Sequence, residues 1–135
     1  MKEPRLDINA FAAAVHENAV RHGWWENPPT FPEIVALCHC ELSEALQIYR
    51  ESDDEAGDGM LRMCGKCKHT QMCRENGVVL DNAKCAPGGI AVEMIDCMLR
   101  IMDWLAAEGI DVEAVLRAKH TYNKGRPYRH GGKKI

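Results

Sequence analysis

The sequence contains no apolar run long enough to span a bilayer, and its first residues, Met1-Lys-Glu-Pro-Arg5, lack the apolar core of a signal peptide. Neither a membrane protein nor a secreted one is expected, and the cytosol is the expected compartment. Alternation of apolar and polar residues at the period of a strand is missing, as are internal repeats and a glycine-rich phosphate loop. These absences argue against β-rich folds, solenoids and P-loop nucleotide binding. Acidic residues stop at Glu113. Beyond it lie Arg117, Lys119, Lys124, Arg126, Arg129, Lys133 and Lys134, so a chain of net charge −3 carries −10 over its first 113 residues. An acidic body with a cationic tail suits a metal site that meets a polyphosphate. It suits equally a tail that is solvated or touches nucleic acid.

What is present reads as helix. The chain has 135 residues, 46% hydrophobic and 27% charged, which fits one domain with a sizeable core. A first helix is expected over residues 6–22, with Asp7 as N-cap, an apolar face of Ile8, Phe11, Ala12, Val15 and Ala19, and Gly23 as its stop. Trp24-Trp25-Glu26-Asn27-Pro28-Pro29 is a loop by composition. Adjacent tryptophans point in different directions. Trp25 is read as the one that stacks on a planar ligand such as a base, and the alternative is that both pack in the core or at a subunit contact.

Thr30-Phe-Pro-Glu33 has the spacing of a capping box and opens a second helix, about 31–50. Ile34, Leu37, Cys38, Leu42, Ala45, Ile48 and Tyr49 form one broad apolar arc on it. At about 100° per residue, Glu41 falls inside that arc and Glu44 at its edge. A third helix, about 90–108, is apolar around nearly its whole circumference and is expected to be buried on most sides. One short chain can hardly cover it, so a homo-oligomer, dimer or tetramer, is expected. Gly109 and Asp111 separate it from a fourth helix, about 112–124, with Val112, Val115, Leu116 and Lys119 on one face. The expected architecture is an all-α bundle of about four main helices in a single domain, 1–135, interrupted at 51–88 by an irregular cysteine-rich insertion.

The chemistry is concentrated in two acidic pairs. Glu41 and Glu44 on the second helix, and Glu93 and Asp96 on the third, share the i, i+3 spacing that puts two carboxylates on one helix face. Facing each other, the pairs would form a four-acid site for a hard divalent cation. The bland alternative is that Glu93, Asp96, Arg100 and Asp103 are the solvated stripe of an amphipathic helix. A carboxylate within an apolar arc, as at Glu41, is costly unless a cation or a hydrogen-bond donor meets it.

Seven cysteines, an odd number, make a disulfide framework unlikely in a chain of this kind. Cys38, Cys40 and Cys97 fall in apolar helical patterns and read as small core residues. Cys64, Cys67, Cys73 and Cys85 cluster with the spacing C-x2-C-x5-C-x11-C. Four thiolates suit a tetrahedral metal, Zn²⁺ first and an iron–sulfur cluster as the alternative. Four free thiols on a loop is the bland reading, weakened because residues 60–89 hold few large apolar groups and need a staple to be ordered.

Glu41-x-x-Glu44, then Glu93-x-x-Asp96, then Lys119-x-x-Tyr122-Asn123-x-x-Arg126-Pro-Tyr-Arg-His-Gly-Gly-Lys-Lys134 resembles the MazG-like all-α nucleoside triphosphate pyrophosphohydrolases over residues 8–50 and 88–135. The resemblance implies a helical bundle assembled as a dimer or tetramer, with Mg²⁺ held by Glu41, Glu44, Glu93 and Asp96. It implies that Lys119 and Asn123 face the phosphates or their metal, with Tyr122 and Arg126 nearby. The implied reaction is hydrolysis of a (deoxy)nucleoside triphosphate to the monophosphate and pyrophosphate. For that chemistry Glu44 is read as the general base and Lys119 or Arg126 as a cation stabilising the leaving pyrophosphate. The chain departs from the family in having Cys40 where many members carry a further Glu, and in the 48 residues between its acidic pairs.

A non-enzymatic reading competes with this one: a metal- or redox-responsive binding module that works through the cysteine segment and the basic tail. That segment has no aromatic residue on which a base could stack, so nucleic acid is not the expected partner. A four-thiolate site is closed and would be structural rather than catalytic. Elemental analysis of protein purified without chelator is expected to find one zinc per chain. Finding neither zinc nor iron, with four freely titrating thiols, would remove the metal from this segment.

Overall fold

The computed structural model describes residues 5–52, 59–61 and 87–134. Among them the fold is all-α, without a strand. The helices are α1 (Ile8–Arg21), α2 (Phe31–Glu51), α3 (Ile90–Ala107), α4 (Val112–Lys124) and a single turn, α5 (Arg129–Gly132). Cys64, Cys67, Cys73 and Cys85, and most of the 51–88 insertion, lie outside the described residues. The chain divides into two compact units, Met1–Pro28 with Met102–Ile135, and Pro29–Ile101. The division falls within α3.

Local chemistry sets the helix ends. Asp7 accepts from the backbone N–H of Ala10, and Asp111 from that of Ala114, so each caps its helix. Thr30 and Glu33 form the reciprocal capping box, with Pro32 in the first turn. α1 and α3 end in one motif: Gly23 N–H bonds the Val20 carbonyl and Trp24 N–H that of Ala19, while Gly109 N–H bonds Ala106 and Ile110 N–H bonds Leu105. Both glycines have positive φ, 82° and 69°, which a side chain would disfavour. α3 begins under the backbone of residues 59 and 60, whose carbonyls accept from the N–H groups of Ile90 and Ala91 at 2.9 Å. The turn at α5 was not expected from the sequence. Arg129 and His130 join Gly131 and Gly132 there at positive φ.

In the first unit α1 packs on α4. The Asn9 amide joins their beginnings, donating to Asp111 Oδ1 at 2.9 Å and accepting from Glu113 N–H at 3.2 Å. Ala12 and Val112 are buried beside this join, whereas Phe11, Val115 and Leu116, expected on packed faces, are exposed.

The second unit holds α2 and the part of α3 up to Ile101. The protected stripe of α2 is narrower than its apolar arc. Ile34, Glu41 and Ala45 are buried and Cys38 and Ile48 half-buried, while Leu37, Leu42 and Tyr49 are exposed. These spacings of four, three, four and three residues trace a seam one residue wide. On α3, Cys97 is buried and Ile90, Glu93, Asp96 and Arg100 are half-buried. Met94, Ile95, Met98 and Ile101 are all exposed. The expectation of burial on most sides is thus not met within a single chain. Cys40 also departs from expectation: it is exposed, one residue off the seam, while Cys38 and Cys97 keep core positions.

Candidate metal centre

Glu41 is the one buried charged residue among those described, with 6% of its surface exposed. It occupies the middle of the α2 seam because the spacing from Ile34 and Ala45 leaves no other orientation for it. Ligand oxygens of Glu41, Glu93 and Asp96 all lie within 4.8 Å of one another. Glu93 and Asp96, one turn apart, present their carboxyls from the same face of α3. Glu44 is exposed, outside this trio, yet close enough for its charge to act on both Glu93 and Asp96.

Crowding of like charges is visible in the acidities. Burial first, then the charges of Glu44, Asp96 and Glu41, raise the Glu93 carboxyl above its ordinary range, and a side-chain hydrogen bond with Glu41 adds to the rise. Asp96 is raised by burial and then by Glu41, against an opposing effect of Arg100, with Glu44 adding a smaller rise. One cation meets the cluster: Arg100 Nε donates to Glu41 Oε1 at 2.5 Å. Arg100 lies one helical turn beyond Asp96, and a side chain on α3 leans toward the helix N-terminus, which carries the guanidinium back over the acids. The thiols of Cys38 and Cys97 meet just beyond, and burial pushes the Cys38 thiol up.

The donor set fits a hard divalent cation. All the atoms are carboxylate oxygens, they converge from two helices, and burial together with neighbouring negative charge raises the pKa of Glu93 and Asp96. Soft metals would want thiolate or imidazole ligands instead.

The remaining sequence-derived residues belong to the first unit. Lys119 Nζ stands 4.9 Å and Arg126 Cζ 5.8 Å from the centre of the Tyr122 ring, so helical spacing gathers three of the four tail residues. Asn123 is exposed on α4. Trp24 is exposed and Trp25 half-buried. The Trp25 indole N–H donates to both carboxylate oxygens of Asp103, at 2.9 and 3.1 Å. His16 Nδ1 stands 2.7 Å from Asp103 Oδ1, and its ring meets Trp25 edge-on. Asp103 as the partner of both Trp25 and His16 was missed in the sequence, since it lies 78 positions from Trp25 and 87 from His16 along the chain. Arg100 as the partner of Glu41 was also missed, although its position four residues after Asp96 was a legible signal.

No family model, no curated protein and no solved structure matches this chain.

The raised pKa values of Glu93 and Asp96 have a consequence for stability. Glu93 and Asp96 hold protons in the folded chain at pH values where the unfolded chain has lost them. Their contribution therefore falls as pH climbs from the ordinary carboxylate range through their raised values. Glu33, which accepts from the Thr30 backbone N–H and hydroxyl, and Asp111, which accepts from the Ala114 N–H and the Asn9 amide, are held low and act in a separate window below that range, where stability is lost as pH falls. Metal-free protein is expected to lose thermal stability on raising the pH through the upper window. Glu93→Gln should flatten that part of the profile, and saturating Mg²⁺ should remove it. An unchanged slope in Glu93→Gln, followed by calorimetric melting, would contradict the assignment.

Proposed function

We propose that the chain is a Mg²⁺-dependent nucleoside triphosphate pyrophosphohydrolase, converting a (d)NTP and water to the (d)NMP and pyrophosphate. The observation that carries this reading is the convergence of Glu41, Glu93 and Asp96 from two helices, with their ligand oxygens within 4.8 Å and Glu41 buried. A purely solvated acidic stripe would not bury a carboxylate in the seam between apolar residues. The order of motifs along the chain supplies the reaction class through resemblance to the MazG-like enzymes.

On this reading Glu41, Glu93 and Asp96, with Glu44 beside them, would hold Mg²⁺. When bound, the ion supplies the positive charge that lets a polyanionic triphosphate approach carboxylates and polarises the phosphorus under attack. Glu44 is the exposed member of the four and suits the role of accepting a proton from the attacking water. The parts of Lys119 and Asn123 at the phosphates, and of Tyr122 and Arg126 with them, rest on the resemblance. Lys119 offers a permanent cation for charge developing on pyrophosphate. Trp25, with its indole N–H held by Asp103, is the proposed stacking surface for the base. Zn²⁺ on the four clustered cysteines is proposed as structural.

Glu41→Gln and Asp96→Asn are each expected to reduce Mg²⁺-dependent pyrophosphate release from a mixed pool of NTPs and dNTPs by at least ~100-fold while the helical circular-dichroism signal is kept. Near-normal release from both variants would sink the acidic centre as the site of hydrolysis. A homo-oligomer is also proposed, supported by the exposed Met94, Ile95, Met98 and Ile101 on α3 and Leu42, Leu46 and Tyr49 on α2. Light scattering at low micromolar protein is expected to give a mass of two or four chains, and an active monomer would overturn that assignment.

A further inference from the structure

The acidic centre contains its own cation. Arg100 Nε donates to Glu41 Oε1 at 2.5 Å, and no other ion pair reaches the centre among the described residues. The two partners differ in freedom: 8% of the Glu41 side chain is exposed and 37% of the Arg100 side chain. Glu41 is fixed in the seam, whereas Arg100 holds it through a single donor, without the two-pronged grip that a guanidinium can make on a carboxylate. A long side chain with its head partly in water can withdraw along its stem at little cost. Deprotonation offers Arg100 no way out, because a guanidinium stays charged.

We propose that Arg100 is the exchangeable counter-ion of the centre, and that divalent metal binds by displacing its guanidinium from Glu41. The inference rests on the metal reading given above. A buried carboxylate left alone would be strongly destabilising, so Glu41 needs positive charge in every state of the protein. Without metal that charge is Arg100. A divalent cation held by Glu41, Glu93 and Asp96 brings twice the charge to the same carboxylate and repels the guanidinium beside it. Arg100 also acts on Asp96, so the cation that leaves has been screening two of the three ligands. The pair therefore keeps the metal-free centre neutral enough to fold, and lowers its affinity for metal by the cost of breaking one charged hydrogen bond.

The exchange can be read directly on the Nε–H signal of Arg100 in ¹⁵N-labelled protein, assigned by its loss in Arg100→Lys. In metal-free protein the signal is expected to be shifted and slow to exchange with water. Titration with Mg²⁺ should move it to the position of a free arginine. By calorimetry with Mn²⁺, Arg100→Gln should bind about tenfold more tightly than the parent chain. Its metal-free form should melt at a lower temperature than the parent, and its metal-loaded form at the same temperature. A protected Nε–H signal that persists at saturating Mg²⁺, in a protein that does bind the ion, would overturn the exchange and leave the metal reading intact. The absence of any Mg²⁺ or Mn²⁺ binding by the parent chain would overturn both.

Discussion

A carboxylate in the middle of an apolar seam is the constraint on which the second unit turns. Glu41 cannot leave the seam, because Ile34 and Ala45 on either side of it are buried and fix the face that α2 turns inward. Nor can it remain there uncompensated, since an unpaired buried charge is among the most costly groups a protein can hold. Arg100 answers that demand with positive charge, while Glu93 and Asp96 bring further carboxylates beside it. Burial first, and then the charges of neighbouring acids, raise the pKa of Glu93 and Asp96, and on the proposed reading a divalent cation would relieve that crowding.

The two units place their chemistry differently. In the second unit the candidate ligands come from the interiors of long helices, whose hydrogen-bonded backbone is rigid, which suits groups that must converge on one point. In the first unit, Lys119, Tyr122 and Arg126 come from the end of α4 and the residues after it, with Lys119 and Tyr122 exposed and Arg126 half-buried beside the Tyr122 ring. Trp25 is the exception there. Asp103 and His16 fix its indole by a forked hydrogen bond and an edge-on ring contact, so a loop residue gains the rigidity of the helices it touches.

Much of the fold was legible because helix boundaries are decided locally. Asp7, Thr30 with Glu33, and Asp111 are caps whose partners lie three residues away, and the ends at Gly23 and Gly109 are made by bonds spanning three and five positions. The acidic pairs were legible for the same reason: one helical turn is a local relation. The width of the packed face was not. Leu37, Leu42 and Tyr49 belong to the apolar arc of α2 by periodicity, yet only the narrower line from Ile34 to Ile48 is protected within the chain. Periodicity reports which side of a helix is apolar, and not how much neighbouring surface is present to cover it.

What the sequence by itself determined, then, is the four longer helices, their ends, and the turn-by-turn pairing of Glu41 with Glu44 and of Glu93 with Asp96, because all of these depend on spacings of a few residues. Tertiary structure alone decided which acids meet. It brought Glu41 to Glu93 and Asp96, left Glu44 at the edge, set Arg100 against Glu41, and joined His16 and Trp25 to Asp103. Such contacts join positions tens of residues apart, and their selection depends on how helix faces pack and on which charges the packing forces together.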